Sequence, residues 1–182
     1  MDRLRKAALL TTLIQKLREQ GSWSGETHVQ KGIFILQELM EVPLEFDFIL
    51  YKHGPFSFDL RDELTALRAD ELLSLERQPW PYGPRLAPTE RSVNIQSLFS
   101  KTVATFENQI NFVALKLGGK GVTELERLAT ALYVTREGES GPSVDERAER
   151  LVHLKPHVSL TDARDAIIES DRMSAEAKEH LS

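Results

Sequence analysis

Two histidines at the spacing of metal ligands are the first candidates for chemistry in this chain. His153 and His157 stand four positions apart, as two ligands on one face of a helix would. Pro156 lies between them, however, and is expected to end the helix before His157 is reached. No acidic residue stands beside the pair at a ligand spacing, so we expect no metal to be bound.

Two further segments contain residue types that occur in catalytic or phosphate-binding sites. His53 precedes Gly54-Pro55 and is interpreted as a turn residue, because a catalytic base needs a partner that the surrounding sequence does not supply. The GGKG segment at 118–121 lacks the first glycine of a phosphate-binding loop and the Ser or Thr after its lysine, and it follows a predicted helix. We interpret it as a helix C-terminal cap.

The remaining composition also argues against catalysis and membrane insertion. The chain has 182 residues and no cysteine, which excludes disulfides, thiolate metal sites and a cysteine nucleophile. No Ser/His/Asp order indicates a triad, and no apolar run approaches the roughly 20 residues that span a bilayer. The basic and apolar amino terminus is broken by polar residues from Gln15 onward, so it is interpreted as a helix and not as a signal peptide. We therefore expect a cytoplasmic, non-enzymatic protein without metal or cofactor.

Apolar residues at helical spacing predict three helices in the first 70 residues. They are expected over 3–19, 26–41 and 58–70, and the third buries Leu60, Leu64 and Leu67. The candidate N-caps are Ser24 or Thr27 for the second helix and Ser57 for the third.

Between and after these helices the sequence predicts short strands. Aromatic and β-branched residues alternate over 46–51, and Gly54-Pro55 is expected to end that strand. A second strand is expected over 72–75, followed by a proline-rich hairpin over 77–91 whose tip carries Trp80 and Tyr82. The order of helices, strand, helix, strand and hairpin is typical of a winged helix-turn-helix, with the hairpin as its wing.

The second half of the chain is predicted to be helical throughout. One long helix is expected over 93–117, and its apolar stripe could form a homodimer or pack within the chain. That stripe consists of Ile95, Phe99, Phe106, Ile110, Val113 and Leu117. Further helices are expected over 123–136, from Ser143 through 154, and from Ser159 or Thr161 onward. The predicted class is mainly α with a small β wing, made of a winged-helix core over 1–92 and a helical part over 93–182 that packs on it.

The third helix occupies the recognition position of a winged helix, so its outward face bears on the question of DNA binding. Opposite its buried leucines lie Phe58, Asp62, Thr65, Ala66 and Ala69, and none of these is cationic. Five acidic and two basic residues stand between Ser57 and Glu71, and local carboxylates oppose binding to phosphates. We expect either that a protein partner binds this face or that the carboxy-terminal helices cover it. The expected contact residues are Phe58, Asp62, Thr65 and Ala66, with Trp80 and Tyr82 of the wing.

DNA binding is the alternative, although the net charge of −5 requires a local basic patch for it. Six cationic residues could line such a rim, unless they pair with neighbouring carboxylates. They are Lys52, Arg61, Arg68, Arg77, Arg85 and Arg91.

Several segments resemble known bacterial families. The segments VQKGIFILQ and FDFILYKHGPFSFDLRDEL, followed by a leucine-rich strand, are similar to the YwgA-like family and, more distantly, to the Panacea domain of bacterial and phage antitoxins. The shared features are Gln30-Lys31 and the Tyr-x-x-Gly-Pro-aromatic-Ser turn at 51–57, and the later ELERLATALYV and LVHLKPHVSLTDARDAI also resemble the YwgA-like tail. The resemblance implies an adaptor or toxin-neutralising module that acts through protein contacts in a mobile-element or phage-defence setting. It implies no catalytic residues.

Overall fold

Helices form most of the computed structural model, which describes residues 1–181, and the strands form two small antiparallel sheets. The first helices are α1 (Arg3–Glu19), α2 (Glu26–Glu38) and α3 (Phe58–Ala69). The strands are β1 (Ile49–Tyr51), β2 (Gly54–Phe56), β3 (Leu73–Glu76) and β4 (Arg85–Pro88). The later helices are α4 (Glu90–Leu98), α5 (Ser100–Thr105), α6 (Glu107–Leu117), α7 (Val122–Glu137), α8 (Val144–Leu154) and α9 (Leu160–Leu181). The predicted class, mainly α with a small β wing, is confirmed.

The second helix begins at Glu26, as predicted, but its N-cap and its end differ from the prediction. Its N-cap is Gly25, and no side chain caps it, so the expected capping by Ser24 or Thr27 is wrong. Ser24 is buried in a left-handed backbone conformation, and its hydroxyl donates to the carbonyl of Leu86 on β4, 2.9 Å away. The helix ends at Glu38 instead of residue 41, because Glu41 also has a left-handed backbone, with φ of 56°.

The segment between α2 and α3 is a β hairpin, formed by β1 and β2, and not a single strand with a break. Ile49 pairs with Phe56, Leu50 with Pro55 and Tyr51 with Gly54. Gly54-Pro55 therefore belongs to the second strand, and the turn lies at residues 52 and 53. The strand predicted over 46–51 is shorter because the backbone N–H and carbonyl of Phe46 bond to the Gln37 side chain of α2 instead of to a strand.

The wing is formed by β3 and β4. The strand predicted over 72–75 is therefore one strand of the wing, and the hairpin predicted over 77–91 contributes only the connection and β4. Leu73 pairs with Pro88 at one end of this antiparallel ladder, and Glu76 pairs with Arg85 at the other. Residues 77–84 connect the two strands and carry the exposed tip. The wing packs on α1, α3 and α4.

The single helix predicted over 93–117 is wrong. The chain leaves helical geometry at Phe99 (φ −108°, ψ 31°) and at Phe106 (φ −111°, ψ 13°), which separates α4, α5 and α6. These breaks let the three short helices wrap around α1, which contacts each of them. The apolar stripe proposed for a homodimer is thereby used within the chain, because its members belong to the main core or pack against it. Leu115, which lies off this stripe, is 67% exposed.

The last three helices pack together and form a second, smaller core between α7, α8 and α9. Ser143 and Glu146 form the predicted capping box of α8, and the Ser159 hydroxyl accepts from the N–H of Asp162 at the start of α9. Gly118 is the C-cap of α6, as interpreted for the GGKG segment. Within residues 1–181, no helix has the length and apolar character needed to cross a membrane.

Candidate functional site

Two buried polar side chains of α2 fix the hairpin and the start of α3. The Gln30 amide accepts from the N–H of Ser57 and donates to its carbonyl, both at 3.0 Å. Lys31, only 1% exposed, donates from Nζ to the carbonyl of Pro55 at 2.8 Å. Ser57 in turn caps α3 through the N–H of Leu60. The Gln30-Lys31 pair and the Gly-Pro-aromatic-Ser segment are thus one structural unit.

The other side of the hairpin is held by the end of α8 and the start of α7. Lys155 is buried and donates from Nζ to the carbonyls of Tyr51 and Lys52. Gly54 lies against α7 with φ of +85°, and a Cβ there would stand 3.0 Å from the Thr130 hydroxyl. Glycine is required at this position because the conformation is left-handed and the neighbouring helix is close.

A buried carboxylate lies among four cationic or titratable side chains beside this turn. Glu126 is 8% exposed; its Oε2 is 3.5 Å from Nδ1 of His53 and its Oε1 is 3.3 Å from Nε2 of His157. Nζ of Lys155 lies 3.9 Å from Glu126 Oε1. Burial lowers the pKa of Lys31 to about 8 and also lowers the pKa of Lys155, while the negative charge of Glu126 opposes both shifts.

This cluster supplies His53 with a carboxylate partner that its sequence neighbourhood does not contain. Glu126 also approaches His157, although no acidic residue stands at a ligand spacing beside His157 in sequence. Among residues 1–181, however, no group of His, Cys, Asp and Glu side chains could hold a metal ion. The lysines use their donors on hairpin carbonyls, so the geometry accounts for this cluster as an anchor for the hairpin.

The outward face of α3 is open to solvent. Phe58 is 40% exposed, Asp62 and Thr65 are exposed, and Ala66 is half-buried. The helix packs mainly on β3 and α2, so the carboxy-terminal helices leave this face uncovered. The sequence predicted either that the carboxy-terminal helices cover this face or that a protein partner can reach it. In the structure the face is uncovered.

Phe58 belongs to an aromatic patch that also contains Ile49, Tyr51 and Phe56. The ring centroids lie 5.5 Å apart for Tyr51 and Phe58, 5.1 Å for Phe56 and Phe58, and 5.6 Å for Tyr51 and Phe56. Tyr51 is 52% exposed and Ile49 is 47% exposed. Sequence reasoning missed all three additional members, since Gly54-Pro55 was interpreted as the end of a strand. The pairing of Ile49 with Phe56 places both side chains on one face of the hairpin.

The two aromatic residues of the wing tip differ from each other. Trp80 is 92% exposed, whereas the ring of Tyr82 contacts that of Trp23 at a tilt of 42°, with ring centroids 5.1 Å apart. Within the described chain, neither ring contacts a ring of the aromatic patch. The structure therefore divides the predicted contact residues into two places, α3 with the patch and the wing tip.

Most acidic residues of the α3 segment already form ion pairs with arginines of the same chain. Glu63 and Asp70 both pair with Arg3 of α1, at 3.0 and 2.7 Å. Asp62 pairs with Arg61 and Glu71 with Arg91. Of the five carboxylates between residues 57 and 71, only Asp59 makes no ion pair within residues 1–181. Since Arg3 and Arg91 add two positive charges to this surface, the local excess of negative charge falls from three to one.

Three of the six cationic residues considered for DNA are already engaged. Arg61 and Arg91 make the ion pairs above, and Arg85 donates from Nε to the carbonyl of Trp23 at 2.9 Å and covers its ring. Lys52 lies at the hairpin turn beside Lys155, away from the wing strands. On the side of α3 and the wing, this leaves Arg68 and Arg77 as the members of the set that make neither an ion pair nor a side-chain hydrogen bond with any described residue.

Comparison with protein-family models finds no family that matches this chain, and comparison with curated proteins finds no relative.

Proposed function

We propose that this chain is a non-enzymatic protein-binding module whose contact surface centres on the aromatic patch and the outward face of α3. The observation that carries the proposal is the patch itself, in which rings in mutual contact remain about half exposed to water. Aromatic side chains contribute most to protein interfaces when a partner removes them from water.

The way the patch is held supports the same proposal. Buried side chains from α2 and α8 fix the backbone on both sides of Tyr51 and Phe56. A surface that is already rigid loses little conformational entropy when it binds. Asp62, Thr65 and Ala66 continue this surface along α3, and Trp80 and Tyr82 would form a second contact on the wing.

The resemblance to the YwgA-like family and the Panacea domain supports both a role in protein binding and a biological context for it. We propose an adaptor or antitoxin-like role in phage defence or on a mobile element, inside the cytoplasm. The partner would then be another protein of the same system, such as a toxin or a nuclease.

Co-purification from the native host, using a tagged chain, tests the proposal. Phe58→Glu and Tyr51→Glu are expected to lose the partner, because each places a charge in the apolar contact. Leu115→Glu is the matched control, since Leu115 is an exposed apolar residue on α6. Circular dichroism and urea unfolding should show that all three variants fold. If both patch variants keep every partner of the wild-type chain, the proposed surface is wrong.

DNA binding is the second candidate, and the exposed face of α3 with the unpaired Arg68 and Arg77 favours it. Phosphate contacts would make the affinity for duplex DNA fall steeply with salt concentration. Arg68→Glu and Arg77→Glu should then weaken binding at about 50 mM salt. Arg85 is a poor probe because its side chain supports the backbone of Trp23. Absence of duplex binding by the wild-type chain at this salt concentration would exclude this candidate.

A further inference from the structure

A pocket of about 510 Å³ lies where α2 and α7 end, beside the loop that leads into β1. Its volume falls within the range of small-molecule sites, roughly 300–1,000 Å³. The pocket is lined by residues 45–48 of the loop and by the last turns of the two helices. None of these residues belongs to the aromatic patch, the outward face of α3 or the wing, so the pocket is separate from the proposed protein-binding surface.

Aromatic rings form the apolar part of this pocket. Phe34 is buried, and its ring centroid lies 5.2 Å from that of Phe48 and 6.4 Å from that of Tyr133. Phe48 and Tyr133 are half-buried, so each keeps part of its surface open to a ligand. Aromatic rings attract cations, and the chain already uses this interaction at Phe46, where Nζ of Lys6 lies 5.4 Å from the ring centroid.

Four carboxylates surround these rings, and one of them has no partner. They are Glu38, Glu45, Asp47 and Glu137. The three glutamates form ion pairs with basic groups of the chain, whereas Asp47 makes neither an ion pair nor a side-chain hydrogen bond within residues 1–181. Asp47 is also exposed, so its charge is available to a ligand.

The remaining charges favour a ligand with one positive charge. The cations that pair with the three glutamates are Lys6, Arg136, Arg150 and the amino terminus, and Arg150 also pairs with Glu139. Five carboxylates thus stand against four cations, which leaves one negative charge in excess. The helix dipoles add to this excess, because α2 and α7 both direct their negative ends towards the pocket.

The loop that carries Asp47 is held in place by α2. The Gln37 side chain accepts from the N–H of Phe46 at 2.8 Å and donates to its carbonyl at 2.9 Å. Nε of Arg136 lies 3.2 Å from Oε2 of Glu38 and links the ends of the two helices. The walls of the pocket are therefore fixed before a ligand enters, which lowers the entropy lost on binding.

We propose that this pocket binds a quaternary ammonium group. The group would lie against the rings of Phe48 and Tyr133, with Asp47 as its carboxylate partner. The faces of these rings provide no acceptor for the N–H groups of a primary ammonium or a guanidinium, whereas a methylated ammonium has no N–H group to satisfy. The inference does not rest on the protein-binding proposal, because Phe58→Glu and Tyr51→Glu change no residue of the pocket.

Choline and dimethylbutanol, in which a carbon atom replaces the nitrogen of choline, form a matched pair of probes. Isothermal titration calorimetry at constant ionic strength should show that choline binds about ten-fold more tightly, since only choline carries a charge. Asp47→Asn should weaken choline binding about two- to five-fold and leave dimethylbutanol unchanged. Phe48→Leu keeps an apolar wall without a ring, so it should weaken choline binding more than dimethylbutanol binding.

Asp165→Asn is the control, because it removes the same charge from an exposed site on α9, outside the pocket lining. It should alter the binding of neither ligand, and circular dichroism should show that all three variants fold. The proposal fails if choline does not bind, if the two ligands bind equally, or if the preference for choline survives both Asp47→Asn and Phe48→Leu. An equal loss in Asp165→Asn would also contradict it, since that result would show only an effect of net charge.

A peptide that contains trimethyllysine distinguishes the two sources of a quaternary ammonium group. Tighter binding of this peptide than of choline, and of the same peptide with unmodified lysine, would assign the group to a polypeptide side chain. Tighter binding of choline than of the trimethyllysine peptide would assign it to a small molecule.

Discussion

The hairpin and the wing are both two-stranded antiparallel sheets, but different contacts hold them in place. Buried Gln30 and Lys31, with Lys155 from the far end of the chain, bind the hairpin and the residue that follows it through backbone carbonyls and an N–H. The wing depends on its own ladder and on contacts near its base, such as the Ser24 hydroxyl on Leu86, while its tip extends into solvent. The hairpin is thus a fixed platform for exposed rings, and the wing tip is a projection with few contacts.

Removal of a hairpin anchor should have the largest effect on stability. Gln30→Ala leaves the buried N–H of Ser57 without an acceptor and opens a small cavity. We expect the free energy of unfolding to fall by about 2–4 kcal/mol, measured by urea denaturation. Ser74→Ala is the control on the wing, since this exposed hydroxyl makes one long bond of 3.4 Å, and should change stability by less than about 0.5 kcal/mol. Similar losses of stability in the two variants would contradict the inference that buried contacts hold the hairpin more firmly than the wing.

A pair of glycines tests the same contrast through the backbone. Gly54→Ala places a methyl group 3.0 Å from the Thr130 hydroxyl in a left-handed conformation, and should reduce stability by about 1–3 kcal/mol. Gly83 at the wing tip has open space where a Cβ would stand and no left-handed backbone, so Gly83→Ala should be neutral within about 0.5 kcal/mol. Melting temperatures of the two variants provide the comparison. An effect at Gly83 equal to that at Gly54 would show that the wing tip is as constrained as the hairpin.

Alkaline pH should stabilise the folded chain through Lys31. The unfolded chain holds the Lys31 proton up to its ordinary pKa of 10.5, whereas the folded chain releases it from about pH 8. The unfolded state therefore binds more protons between about pH 8 and 10.5, and the free energy of unfolding rises with pH across this window. Relative to Lys31→Met, the wild-type chain should gain about 1–3 kcal/mol over this range in urea unfolding. Parallel curves for the two proteins would contradict the expectation, and Lys178→Met, at an exposed site on α9, should follow the wild type.

Local patterns predicted those parts of the fold that depend on residues close in sequence. The helical periodicity of α1 and α3, the caps at Ser57 and Ser143 and the wing all follow from spacings of a few residues. The breaks at Phe99 and Phe106 could not be found in this way, because the apolar stripe continues through them with helical spacing. They become favourable only when the segment curves around α1.

The candidate site was predicted in part for the same reason. Phe58 and its neighbours on α3 follow from a helical wheel, but the patch depends on strand pairing between Tyr51 and Gly54. The anchors act over longer separations still, 27 residues for Gln30 and Ser57 and 104 for Lys155 and Tyr51. The charge of the surface around α3 could not be obtained from residues 57–71 alone, because two cationic partners, Arg3 and Arg91, lie outside this segment.

The two tryptophans provide the smallest expected effect on stability and the sharpest test of the wing tip. Trp80 is 92% exposed, so Trp80→Ala removes almost no buried surface and should change the free energy of unfolding by less than about 0.5 kcal/mol. Trp23 packs against Tyr82 and Arg85, so Trp23→Ala should cost about 1–3 kcal/mol in the same urea experiment. If Trp80 serves the fold, its removal will shift the unfolding midpoint. If it serves a partner, the midpoint will stay and co-purification will weaken, because only binding buries a ring that the folded chain leaves in water.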